Sequence, residues 1–225
     1  MDIHLYYQEY GSGYPLILLH GNGGSSDYFS EQFQPFSSVR HVIAPDTRGH
    51  GRTPRGNKPF TIRQFAQDLE EFMEELGIDK ADLLGFSDGA NIAMVFALRY
   101  PGRVRKLVLD GGNIRPFGVK ARYQLRIELA CLKAEFAARK NPAVIPKAEM
   151  LGIMVHGFTT TPQDLARIRI PTLVIAGTHD MIRKSHTRLI ASSIPGASLL
   201  LIPGDHGVAA GNPEAFNKAV LDFLE

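Results

Sequence analysis

Short apolar runs separated by polar, glycine-rich joints set the pattern of this chain. The first stretch, IHLYYQEY, reads as a strand region and stops at the turn GSGYP. PLILLHG follows as a continuous apolar run, the pattern of a strand buried on both faces. HVIAPD, ADLLGF, KLVLDG, PTLVIAG and ASLLLIP read as further strands. Helical patterns lie between them. One runs from Asp27 to about Ser37. Another starts at Thr61, where TIRQ has capping-box form with Thr61 as N-cap and Gln64 three residues on. Its apolar positions Phe65, Leu69, Phe72, Met73 and Leu76 keep helical spacing, and Gly77 ends it. DGANIAMVFALRYP is apolar nearly all round, as expected of a helix sandwiched between a sheet and other elements. SHTRLIASS is helical, and a last helix starts with Pro213 at its first position behind Asn212.

Strands alternating with helices predict an α/β domain with a mainly parallel sheet. KLVLDG and PTLVIAG are separated by about 60 residues, far more than a simple crossover needs. An amphipathic helix around Tyr123 to Arg139 and a second from Pro146 to Val155 fill that interval. The expected organisation is one domain over residues 1–225, with a short helical cap inserted at about 114–165.

Composition narrows the function classes. The chain has 225 residues, 44% hydrophobic and 21% charged, with a formal net charge of +2. That is ordinary for a globular protein and gives no footprint for nucleic acid. The single cysteine, Cys131, excludes an internal disulfide and reads as a small core residue within a helix. The first residues lack a basic region followed by an apolar core, and no apolar run reaches membrane-spanning length. The expectation is a cytoplasmic protein with no membrane partner.

In open α/β sheets, ligands bind at the carboxyl ends of the strands. Chemistry-bearing residues sit there: His20-Gly21-Asn22-Gly23, Asp46, Ser87, Asp110, Thr178-His179-Asp180 and Gly204-Asp205-His206. GFSDG has the G-x-S-x-G form and lies between a strand and a helix, where a sharp turn exposes the serine at a helix N-terminus. A serine hydroxyl needs a base. His206, in the glycine-bracketed loop GDHG, is the candidate, since the other histidines begin strands, end one before glycine, or lie in polar or helical segments. The base needs a carboxylate to fix its tautomer. Asp180 is the candidate, because it follows an apolar strand and precedes Met181-Ile182; Asp110 is the competitor, and Asp205 reads as a turn former. An oxyanion needs two donors. The backbone N–H of Asp88 is one candidate, and Asn22, with Gly23 as alternative, supplies the other. No Walker lysine and no G-x-G-x-x-G point to a nucleotide, and no HExxH spacing points to a metal. No cofactor is expected.

HGNGGSSDYF, PDTRGHGRT, GFSDGANIA, PTLVIAGTHDMI and GDHG together resemble the α/β-hydrolase family over essentially the whole chain. The resemblance implies a mostly parallel eight-stranded sheet, a cap over the active site and hydrolysis through an acyl-enzyme. Serine at position 87 disfavours the dehalogenase and epoxide-hydrolase branches, whose nucleophile is aspartate. GxSDG with a GGN segment resembles the valacyclovir-hydrolase (biphenyl-hydrolase-like) branch, and small bacterial carboxylesterases share much of the pattern. In the former branch the acid after the nucleophile is implicated in recognising a substrate amino group, which places that role on Asp88 here.

The expected partner is a small-molecule ester, cleaved by Ser87, His206 and Asp180, with an amino-acyl ester as the sharper expectation. Two alternatives use the same scaffold: perhydrolase or haloperoxidase chemistry, and a ligand-binding or signalling protein. Phe117, Tyr123, Met150, Met154 and His156 are cap residues that either line a pocket or pack, and His156 is carried with Asp88 as a substrate-binding candidate.

Overall fold

A computed structural model describes residues 2–225 of the protein. One sheet runs through it, in the order β1 (Tyr7–Tyr10), β3 (His41–Pro45), β2 (Pro15–Leu19), β4 (Ala81–Phe86), β5 (Val104–Asp110), β6 (Thr172–Gly177) and β7 (Ser198–Ile202). Only β1 is antiparallel, paired with β3 through Tyr7–Pro45 and Tyr10–Val42. The other neighbours are parallel.

The sheet has seven strands, one fewer than the family resemblance implies. The segment before β1 bonds to a loop instead of a strand. Asp46 donates its N–H to the Tyr6 carbonyl, and the Tyr6 N–H goes to Thr53 Oγ1. Ile3 and Leu5 are nevertheless buried, so apolar side chains extended the strand pattern beyond the paired residues.

The helices are α1 (Ser30–Ser37), α2 (Ile62–Glu75), α3 (Asp88–Arg99), α4 (Ala121–Ala138), α5 (Ile145–His156), α6 (Pro162–Leu165), α7 (Lys184–Ser193), α8 (Val208–Gly211) and α9 (Pro213–Leu224). They cover both faces of the sheet, which is why the central strands are apolar throughout. Strand alternation divides the core. Ile17 and Leu19 pack with Phe65 and Leu69 of α2 and Ile92 and Phe96 of α3. Leu16 and Leu18 pack on the other face with Phe36 of α1 and Phe216 and Val220 of α9. Each such fully buried side chain contributes about 1.5–3 kcal/mol of transfer free energy.

Thr61 caps α2 by accepting from the Gln64 N–H. Gln64 does not complete the box; its amide turns to Asp68 instead. Asp68 is buried and holds the fully buried Arg48 through two bonds of 2.7 Å, with Asp2 on the same guanidinium. The demand of a buried charge pair outweighs an ordinary cap.

Between β5 and β6 the chain leaves the sheet. Helices α4 and α5 pack on each other there. The outer face of α4 carries Leu125, Leu129, Leu132 and Phe136, all exposed. Among the described residues, no helix is long and apolar enough to cross a membrane.

Helix α3 lies directly on β2 and β4. A Cβ on Gly89 would collide with the carbonyl oxygens of Leu19 and His20, and one on Gly85 with the Gly89 carbonyl. These contacts are to backbone, so no rotamer relieves them. Gly89→Ala is therefore expected to cost about 3 kcal/mol in urea unfolding, at the upper end of overpacking penalties. Wild-type stability in that variant would contradict the closeness of the helix to the strands.

Candidate active site

Ser87 lies between β4 and α3 with φ 53° and ψ −117°. Among the described residues it alone has positive φ without being glycine. Such a backbone costs about 1–3 kcal/mol and persists only where the surroundings impose it. Here the Ser87 N–H donates to the Asp110 carbonyl at 2.7 Å, and the Ser87 carbonyl accepts from the Ala90 and Asn91 N–H groups. The side chain is thereby pushed out of the turn.

Ser87 Oγ lies 3.0 Å from His206 Nε2, and His206 Nδ1 lies 2.7 Å from Asp180 Oδ1. Asp180 is buried, and the same oxygen accepts the Ile182 N–H at 2.8 Å. With Nδ1–H donating to the carboxylate, Nε2 is left as the acceptor facing the serine hydroxyl. Phe86 packs against the imidazole, with ring centroids 5.0 Å apart. Gly111 leaves room on its other side, where a Cβ would stand 2.8 Å from His206 Cε1.

The competing carboxylate is placed differently. Asp110 is fully buried, and neither carboxyl oxygen has a hydrogen-bond partner among the described residues. Burial, reinforced by the charge of Asp180, holds its pKa well above the usual carboxylate range. Asp205 is exposed and accepts the Gly207 N–H in a turn.

The loop after β2 is organised by His20. Its Nδ1 donates to the Gly21 carbonyl, and its Nε2 accepts the Thr47 N–H at 3.0 Å. The second bond requires the neutral ring. Burial lowers the pKa of His20 to about 4. Among the described residues, the main-chain N–H groups of Asn22 and Asp88 have no acceptor. The Asn22 side chain donates to Asp88 Oδ2 at 2.9 Å and to the Met150 carbonyl of α5 at 2.7 Å.

Asp88 is buried, and its second oxygen accepts from Asn91 Nδ2 at 3.0 Å. Burial raises its pKa, while the two amide donors work in the opposite direction. Both of these hydrogen-bond partners, Asn22 and Asn91, are neutral amides. Asn91 in turn exchanges hydrogen bonds with Asn113. The cavity above Ser87 is lined by Asp88, Asn113, Ile127, Met154, Phe158 and His206 and holds about 20 Å³, room for one water molecule.

The structure thus brings Ser87, Asp88, Asn22, Asp180 and His206 together. It does not bring His156 there. His156 ends α5 on the outer side, mostly exposed and 3.8 Å from Glu135. Phe117 is exposed as well, whereas Met154 lines the cavity. Sequence reasoning missed Asn91, Asn113, Ile127 and Phe158. Asn91 carried a signal, since it is a polar residue one turn after Ser87 in an otherwise apolar helix.

The α/β-hydrolase fold family profile matches residues 14–128, and the chain belongs to that family and is a hydrolase of it. Among its relatives, a Caulobacter sp. (strain K31) protein named as a carbamate hydrolase, RutD, is 32% identical over 93% of this chain and 90% of its own. The Mus musculus serine hydrolase BPHL is 29% identical over 99% of this chain and 84% of its own. The crystal structure of a hydrolase from Pseudomonas aeruginosa PA01 superposes with a TM-score of 0.81 at 28% identity, covering 99% of this chain and 98% of that one.

The neutral His20 makes stability pH-dependent. A histidine with a depressed native pKa binds fewer protons folded than unfolded, so stability is lost as pH falls from about 6.5 to about 4. That shift corresponds to roughly 3 kcal/mol. Urea unfolding across this window is expected to be flatter for His20→Asn, whose side chain does not titrate. Parallel profiles would mean that His20 is not held neutral.

Proposed function

We propose that this protein is a serine hydrolase that cleaves carboxylic esters. The observation supporting this reading is the unbroken chain from Ser87 Oγ through His206 to Asp180, at 3.0 and 2.7 Å. Ser87 attacks the carbonyl carbon as His206 Nε2 takes its proton. Asp180 holds the ring and stabilises the imidazolium. The main-chain N–H groups of Asn22 and Asp88 receive the oxyanion. His206 then returns the proton to the leaving alkoxide, and an acyl-Ser87 remains. Water, deprotonated by the same histidine, completes the hydrolysis. Asp180 is preferred to Asp110 as the acid because only Asp180 bonds to His206.

A fluorophosphonate probe should label the wild type, and Ser87→Ala should abolish labelling and lower ester kcat roughly 10⁴-fold or more. Folded protein that neither labels nor turns over esters would overturn the reading in favour of a ligand-binding role.

The substrate class we favour within esters is amino-acyl. Asp88 places in the cavity lining a carboxyl whose hydrogen-bond partners among the described residues are two neutral amides, where an ammonium group would compensate it. Asp88→Asn should lower kcat/KM for amino-acyl esters about 10- to 100-fold relative to uncharged esters. An unchanged preference would remove Asp88 from substrate recognition. The relative named as a carbamate hydrolase supports a second substrate, a carbamate, whose carbonyl presents the same electrophile to Ser87. A panel holding both classes ranks them.

A further inference from the structure

Cys131 and Glu135 are four residues apart on α4 and so share a face, and His156 reaches them from the end of α5. Cys131 Sγ lies 3.3 Å from Glu135 Oε1, and His156 Nε2 lies 3.8 Å from that same oxygen. The three donor atoms all fall within 4.8 Å of one another. Around tetrahedral zinc, bonds of about 2.3 Å to sulfur and about 2.0–2.2 Å to nitrogen and oxygen put neighbouring donors about 3.3–3.8 Å apart. The sulfur–oxygen edge, for which zinc needs about 3.5–3.7 Å, and the nitrogen–oxygen edge, for which it needs about 3.3–3.5 Å, are thus each within a few tenths of an ångström of the required length. The third closes by rotation of His156, whose side chain is 69% exposed.

We propose that Cys131, Glu135 and His156 form a zinc site that joins α4 to α5. The donor set is one thiolate, one imidazole and one carboxylate, which favours zinc over magnesium or calcium. The site opens onto a groove of about 360 Å³ lined by Phe60, Thr61, Glu135, Glu149 and His156, from which a water would complete four-coordination. Glu149 is not a competing ligand, because Arg55 holds both its oxygens at 2.6 and 2.7 Å.

Without metal, the Cys131 thiol donates to Glu135. Burial and the Glu135 carboxylate push the thiol pKa up to about 11. Zinc displaces this proton and releases it to solvent, so the sulfur–hydrogen bond is exchanged for a sulfur–zinc bond. The HExxH spacing sought in the sequence misses this site because its third ligand comes from another helix. The site also bears on the cavity. Ile127, one turn before Cys131, and Met154, two residues before His156, both line the space above Ser87. Fixing α4 to α5 fixes the roof of that space.

Cobalt(II) is the probe for the test, added to the chelator-treated full chain. Cys131 is the only cysteine, so a thiolate-to-cobalt charge-transfer band reports this site alone. The expected result is a band that saturates at one equivalent, is lost when zinc is added, and is absent in Cys131→Ser. His156→Ala removes an exposed side chain and leaves the fold intact. Loss of even an outer-shell partner weakens metal sites 10- to 100-fold, so zinc affinity should fall at least about tenfold in this variant. No thiolate band in the wild type, or zinc affinity unchanged in both variants, would overturn the proposal.

Discussion

The close approach of α3 to β2 and β4 holds Ser87 in a left-handed backbone, and the rest of the site depends on that contact. Gly85 and Gly89 permit it, because neither position has room for a Cβ. The turn then projects the serine side chain to His206 and leaves the Asp88 N–H free at the start of the helix. It also orients the Asp88 side chain towards Asn22 and Asn91. One steric constraint thus places the hydroxyl, a free main-chain donor and a buried carboxylate within the same few residues. The cost is a strained residue, offset by the bond from its N–H to the Asp110 carbonyl.

Two buried aspartates beneath the site are distinguished by their partners. Asp180 receives a histidine ring and a main-chain N–H. Asp110 receives neither, and burial together with the charge of Asp180 holds its pKa well above the usual carboxylate range. Its main-chain carbonyl anchors Ser87.

The sheet was legible because its inner strands are buried on both faces and so read as unbroken apolar runs. The placement of Ser87, Asp180 and His206 was legible for a related reason: each ends or follows a strand at one edge of the sheet. Two features were not. The first strand is shorter than its apolar pattern, since residues before Tyr7 spend their hydrogen bonds on the Asp46–Thr53 loop. His156 carried the right chemistry but ends α5 on the side away from Ser87, and helix phase at a terminus is set by packing that sequence spacing does not specify.

A cavity of about 20 Å³ above Ser87 does not admit an ester with an acyl chain. Admitting the proposed substrates therefore requires α4 and α5 to move together. Two polar ties hold α5 to the residues outside this pair: Arg55 to Glu149, and Asn22 Nδ2 to the Met150 carbonyl. Asn22 is also a partner of Asp88. When α5 withdraws, Asn22 loses the Met150 carbonyl, and its amide and the Asp88 carboxylate become available to a ligand together. Withdrawal of α5 and exposure of the Asp88 carboxyl in the cavity lining would thus be a single event. A substrate carrying an ammonium group would gain its main polar contact only in the open state, and that differential interaction is what any ligand needs in order to shift a conformational equilibrium.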